Sequence, residues 1–76
     1  MFVKIASFQN KKQAEELRAK IILNGHNVLI KQVKINQDTY YRVITGPYNS
    51  EKGVLSAQKK IQQLGFKSIV LKKTIT

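Results

Sequence analysis

The chain has 76 residues, enough for one small domain in which every element must contribute to a single core. Fourteen Lys and Arg against four Asp and Glu give a formal charge of +10, which points to an anionic partner: nucleic acid, a phospholipid surface or an acidic polysaccharide. The absence of cysteine excludes disulfides and thiolate metal sites, one histidine cannot hold a metal by itself, and neither a membrane-spanning apolar run nor a signal-peptide pattern is present.

Residues 2–8, Phe-Val-Lys-Ile-Ala-Ser-Phe, read as a strand with Val3 and Ile5 toward the core and Lys4 outward. Ala6-Ser7 breaks the alternation, as a bulge returning Phe8 to the core would. Asn10 is the expected N-cap of a helix over residues 11–23, with Gln13 placed for a capping-box variant. Ala14, Leu17 and Ile21 form its apolar face, widened by Ile22, and Asn24-Gly25 stops it with a left-handed cap at the glycine. Residues 28–35 form a second strand, in which Lys31 and Lys34 read as charges protecting a sheet edge. Asn36-Gln37-Asp38-Thr39 is a polar connection suited to a hairpin.

The next strand, residues 40–45, organises the rest. Tyr41 and Val43 alternate with Tyr40, Arg42 and Ile44. An arginine is costly to bury unpaired, so Tyr41 and Val43 are expected inward and Tyr40, Arg42 and Ile44 on the other face. Gly46-Pro47 ends the strand. Ser50 is the expected cap of a second helix over residues 51–64, with Glu51 at the positive end of its dipole. Val54, Ala57, Ile61 and Leu64 make its buried stripe, Gly53 weakens its first turn, and Gly65 ends it. Residues 68–73 read as a final strand.

The sequence repeats itself at a shift of forty positions: Val3 meets Val43, Phe8 meets Tyr48, Asn10 meets Ser50, Ile21 meets Ile61 and Gly25 meets Gly65. Two such units, residues 2–35 and 40–73, give an α+β chain of order β-α-β-β-α-β. Right-handed crossovers place both helices on one face of a four-stranded antiparallel sheet, as in ferredoxin-like and RNP-like folds. The other face is left open, with the first and third strands at its centre and Lys4, Ser7, Tyr40 and Arg42 as neighbours.

Val3-Lys4-Ile5-Ala6-Ser7-Phe8 resembles the first-strand signature of SPOR domains (sporulation-related repeats). Tyr41-Arg42-Val43 followed by Thr45-Gly46-Pro47-Tyr48 resembles their third-strand signature. The resemblance covers nearly the whole chain, 1–76, as a single domain. It implies non-catalytic binding of bacterial peptidoglycan, preferentially of glycan strands lacking stem peptides, through the open sheet face. It further implies targeting of a parent protein to the division septum or to wall-remodelling sites. The expected location is the cell envelope, periplasmic or extracytoplasmic, within a larger anchored or secreted protein. Position by position, the family's first-strand glutamine corresponds to Lys4, its serine to Ser7, its third-strand aromatic to Tyr40, its arginine to Arg42 and its fourth-strand aliphatic to Val70. Lys4 stands where glutamine is usual and Tyr40 where tryptophan is common. No metal or cofactor is implied.

The chemistry of such a ligand suits a basic domain. Removing the stem peptide leaves a free lactyl carboxylate on each N-acetylmuramic acid, so a stripped strand is a regular polyanion with stiff sugar faces. Arg42 can bind a carboxylate through charge-assisted hydrogen bonds, and the lysines raise the encounter rate. Single-stranded nucleic acid is the competing ligand, because RNA-recognition motifs share this element order. Those motifs stack bases on aromatics in both central strands, and here Lys4 occupies the key first-strand position. A membrane-surface role for residues 11–23 is weaker, since that apolar stripe is needed for the core. Catalysis is not expected. Glu15, Glu16 and Glu51 fall in helices on the far side of the sheet, Asp38 falls in a turn, no pair can flank a glycosidic bond, and Ser7 has no base, His26 being an expected exposed loop residue.

Overall fold

The computed structural model describes residues 1–72. Six elements follow in order: β1 (Phe2–Phe8), α1 (Lys11–Leu23), β2 (Val28–Ile35), β3 (Asp38–Thr45), α2 (Glu51–Gln63) and β4 (Ile69–Leu71). The strands make one antiparallel sheet in the order β2-β3-β1-β4. This is the expected ferredoxin-like α+β arrangement, with β1 and β3 central.

The helices start where side chains can satisfy free backbone donors. Asn10 Oδ1 accepts from the amides of Lys12 (2.8 Å) and Gln13 (3.3 Å), and Ser50 Oγ accepts from that of Gly53 (3.1 Å). The reciprocal side-chain bond from Gln13 is not formed among the described residues. At their ends, Gly25 and Gly65 take φ +86° and +95°, and their amides reach back to Ile22 and Gln62.

One core joins both helices to one sheet face. Val3, Ile5 and Val43 pack with Ala14, Leu17 and Ile21 of α1 and with Val54 and Ile61 of α2. Ala57 is buried as well. Fully burying a Val, Leu or Ile side chain contributes about 1.5–3 kcal/mol. The buried stripes are narrower than the sequence suggests. Ile22 is 43% exposed, and Leu64, which caps α2 rather than extending it, is 38% exposed. Phe8 is half-buried against the core.

The β1 bulge lies one residue earlier than the expected Ala6-Ser7. The register with β3 slips between Lys4 and Ala6, so that Ile5 is the extra residue. Ile5 and Ala6 both pack on the helix side. Ser7 is thereby sent to the open face and Phe8 to the core, the outcome for which the bulge was invoked. The β2–β3 connection is tighter than expected. Ile35 pairs with Asp38, leaving a two-residue loop whose Asn36 and Gln37 have φ of 50° and 71°. Positive φ at both positions gives a primed turn, whose twist matches that of the strands it joins. Within the described residues the last strand covers only 69–71 of the expected 68–73, and Lys73 lies outside them.

An approximate two-fold axis passes through the centre of the sheet. Lys4 pairs with Ile44, its own counterpart in the repeat. The flanking pairs obey the same rule: Leu29 with Ile44 matches Ile69 with Lys4, and Ile30 with Val43 matches Val70 with Val3.

Candidate functional site

Side chains directly opposite one another in adjacent strands share a face, so the register shows what the open face carries. Its central row runs Leu29–Ile44–Lys4–Ile69 across β2, β3, β1 and β4. On one side lies the row Lys31–Arg42–Ser7, with Tyr40 beyond Arg42 on β3. On the other lies the pair Phe2–Leu71. Lys4, Ser7, Tyr40 and Arg42 therefore share one face, with Ser7 directly opposite Arg42 and exposed, and Lys4, Tyr40 and Arg42 half-buried.

Val70 departs from the expectation. It pairs with Val3 and packs against the core, on the helix side of the sheet. The fourth-strand aliphatics of the open face are Ile69, 57% exposed, and Leu71. Ile44 has the expected face but an unexpected environment. It is 0% exposed yet absent from the helix-side cluster, flanked in its row by Leu29 and Lys4. It is a buried floor, with Lys4 beside it across β1 and Arg42 two positions before it on β3.

The strand end is held closely. Gly46 has φ +135°, and a Cβ there would stand 2.8 Å from Phe2 Cδ1. Both facts require glycine. The peptide bond to Pro47 is cis. Tyr48 donates its amide to the Met1 carbonyl (2.7 Å) and its hydroxyl to Thr45 Oγ1 (3.1 Å), which satisfies the fully buried Thr45.

The cations of this face have no acidic partner among the described residues. The ion pairs among the described residues, Lys11–Glu15 at 4.0 Å and Glu51–Lys72 at 3.5 Å, involve none of Lys4, Lys31 and Arg42. Of the four acidic residues only Asp38 shares the open-face parity of Tyr40 and Arg42, at the hairpin end, about 13 Å along β3 from Arg42. Among the described residues, larger concavities lie between α2 and β4, lined by Leu55, Gln58 and Phe66, and beside α1 and β2, lined by Lys11, Arg18 and Tyr41 and reaching Leu29 at the sheet edge. A sheet face of this kind is a shape suited to an extended ligand rather than an enclosed small molecule. Among the described residues no group of three or more His, Cys, Asp and Glu can hold a metal, and no helix is long and apolar enough to cross a membrane. His26 is half-buried just beyond α1 rather than exposed as expected, and burial first and the nearby Lys60 second hold its pKa below the ordinary 6.5.

The SPOR domain family matches residues 1–72. The chain belongs to the SPOR domain family. Among solved structures, the crystal structure of the RlpA SPOR domain from Pseudomonas aeruginosa superposes with a TM-score of 0.80 at 27% identity, over 92% of this chain and 97% of that one. The solution structure of the peptidoglycan binding domain of the B. subtilis cell wall lytic enzyme CwlC gives 0.78 at 20% identity, over 96% and 87%, a likeness of fold. A search of curated proteins finds no match.

The sequence left Phe2, Leu29, Lys31, Ile69 and Leu71 of this SPOR domain unassigned to the open face. Lys31 was legible only as edge protection, because its face depends on pairing with Arg42.

Proposed function

We propose that this SPOR domain binds peptidoglycan without catalysing its cleavage, on the open sheet face, with preference for glycan strands lacking stem peptides. The observation that carries the reading is the directly paired Arg42 and Ser7, a cation without an acidic partner among the described residues beside a hydroxyl on the open sheet face. Arg42 takes the free lactyl carboxylate through charge-assisted hydrogen bonds that a peptide-bearing strand cannot offer at that position. Ser7 and Lys4 hydrogen-bond sugar substituents. Tyr40 offers its ring to a pyranose face, and Ile69 is the fourth-strand aliphatic contact in place of Val70. Such a domain places its parent protein in the envelope, outside the cytoplasm, wherever stripped strands accumulate, the division septum and sites of wall remodelling among them.

The test is co-sedimentation with intact wall sacculi, with and without stem peptides, at low and high salt, with single-stranded RNA in parallel. Tighter binding to stripped sacculi, weakening as salt rises, is expected. Equal binding to both wall preparations together with tight RNA binding would replace this reading with nucleic-acid recognition.

A further inference from the structure

We infer that Lys31 is a second carboxylate-binding residue of the open face, acting with Arg42 as a two-cation clamp that selects the acidic form of the glycan. The inference rests on the reading of the open face given above. Lys31 pairs directly with Arg42 across β2 and β3, and Arg42 pairs directly with Ser7 across β3 and β1. Opposite side chains on one sheet face leave the backbone about 5 Å apart, close enough for both cations to reach one carboxylate. Lys31 is half-buried on its strand, whereas Lys34 is exposed. Neither Lys31 nor Arg42 has an acidic partner among the described residues.

Like charges directly opposite in a sheet repel, and here no acidic side chain offsets the repulsion. A bound anion bridging the two cations removes it. A lysine serving only to protect the edge would not need to stand opposite an arginine. Lys34, three residues on and so of opposite parity, pairs with Thr39 and supplies edge charge without this juxtaposition. The two lysines of β2 therefore have separable roles.

The experiment compares Lys31→Gln, Lys31→Arg, Lys34→Gln and Arg42→Ala on soluble stripped glycan strands, and on the same strands with their carboxylates converted to amides. Lys31→Gln should weaken binding to the acidic strands about tenfold, the effect of losing one charge-assisted hydrogen bond. It should change binding to the amidated strands little, Lys31→Arg should restore the affinity, and Lys34→Gln should bind like the parent. Because Lys31→Gln relieves the repulsion, its thermal midpoint at low salt should be no lower than the parent's. If Arg42→Ala loses affinity while Lys31→Gln does not, the clamp is overturned and the open-face site stands. Equal losses by Lys31→Gln on acidic and amidated strands also overturn the clamp. If neither variant loses affinity, the site itself falls.

Discussion

The two halves of the molecule, β1-α1-β2 and β3-α2-β4, repeat each other where they pack and differ where they meet solvent. Ala14, Leu17 and Ile21 bury the same face of α1 that Val54, Ala57 and Ile61 bury on α2, each forty positions apart. On the open face the same shift sets Arg42 against Phe2, Lys31 against Leu71 and Ile44 against Lys4. Packing constrains both halves alike, because a core tolerates only a narrow range of volumes. The open face has no such partner among the described residues, and its two ends carry opposite chemistry, one cationic and one apolar.

The halves also differ in support. Helix α1 packs on β1, β2 and β3, whereas α2 packs chiefly on β1 and on β4, a strand of three residues. Truncating the matched core residues should expose this difference and give the largest effects. Ile21→Ala and Ile61→Ala should each cost about 2–5 kcal/mol, with Ile61→Ala toward the lower end because a short edge strand relaxes more readily around a cavity. Urea unfolding measures both. A cost at Ile61 well above that at Ile21 would show that the halves are not ordered in this way.

The next effect separates the cationic end of the face from the general field of charge. Arg42→Ala should lower affinity for stripped glycan about ten- to a hundredfold, the loss of roughly 1.5–3 kcal/mol for a charge-assisted hydrogen bond. Lys59→Ala removes the same formal charge from the exposed surface of α2. It should have a small effect that fades as salt rises. Titrating both at two ionic strengths decides the matter, with thermal unfolding to confirm that the fold survives. Equal losses would make the charge a diffuse attractor and the open face no site.

The smallest effect lies where the repeat sets His26 against Phe66. The folded pKa of His26 is lowered from 6.5, so below that value the unfolded chain binds more protons than the folded one. Stability from this group is complete above pH 6.5 and declines as pH falls toward and through the lowered folded value. His26→Gln should flatten that decline between pH 7.5 and 5.5. Thermal midpoints of parent and variant across the window test it, and parallel pH profiles would assign the dependence to other groups.

Helix positions were the most legible part of the chain. Each helix is bracketed by a capping Asn or Ser and a glycine, chemistry that acts within a few residues. The sheet was legible only where polar and apolar residues alternate. On β3, Arg42 set the parity of its neighbours. On β4, Ile69-Val70-Leu71 is uniformly apolar, so sequence could not show that the outer two face outward and Val70 inward. The same ambiguity in Val28-Leu29-Ile30 hid the face of Lys31, which only pairing determines. The two-residue hairpin is hidden in the sequence because Asn-Gln lacks the glycine usual in such a turn. The burial of Ile44 depends on how neighbouring side chains lie over it, which no spacing rule records.

The near two-fold axis through the Lys4–Ile44 pair bears on the direction of a bound chain. A face with true two-fold symmetry would accept a linear polymer equally well in either direction. Here a half-turn exchanges the guanidinium of Arg42 for the ring of Phe2, and the ammonium of Lys31 for Leu71. A polymer with chemically distinct ends therefore meets two unequal free energies in its two orientations. If the open face binds such a strand as proposed, the strand should favour one of its two directions across β1 and β3.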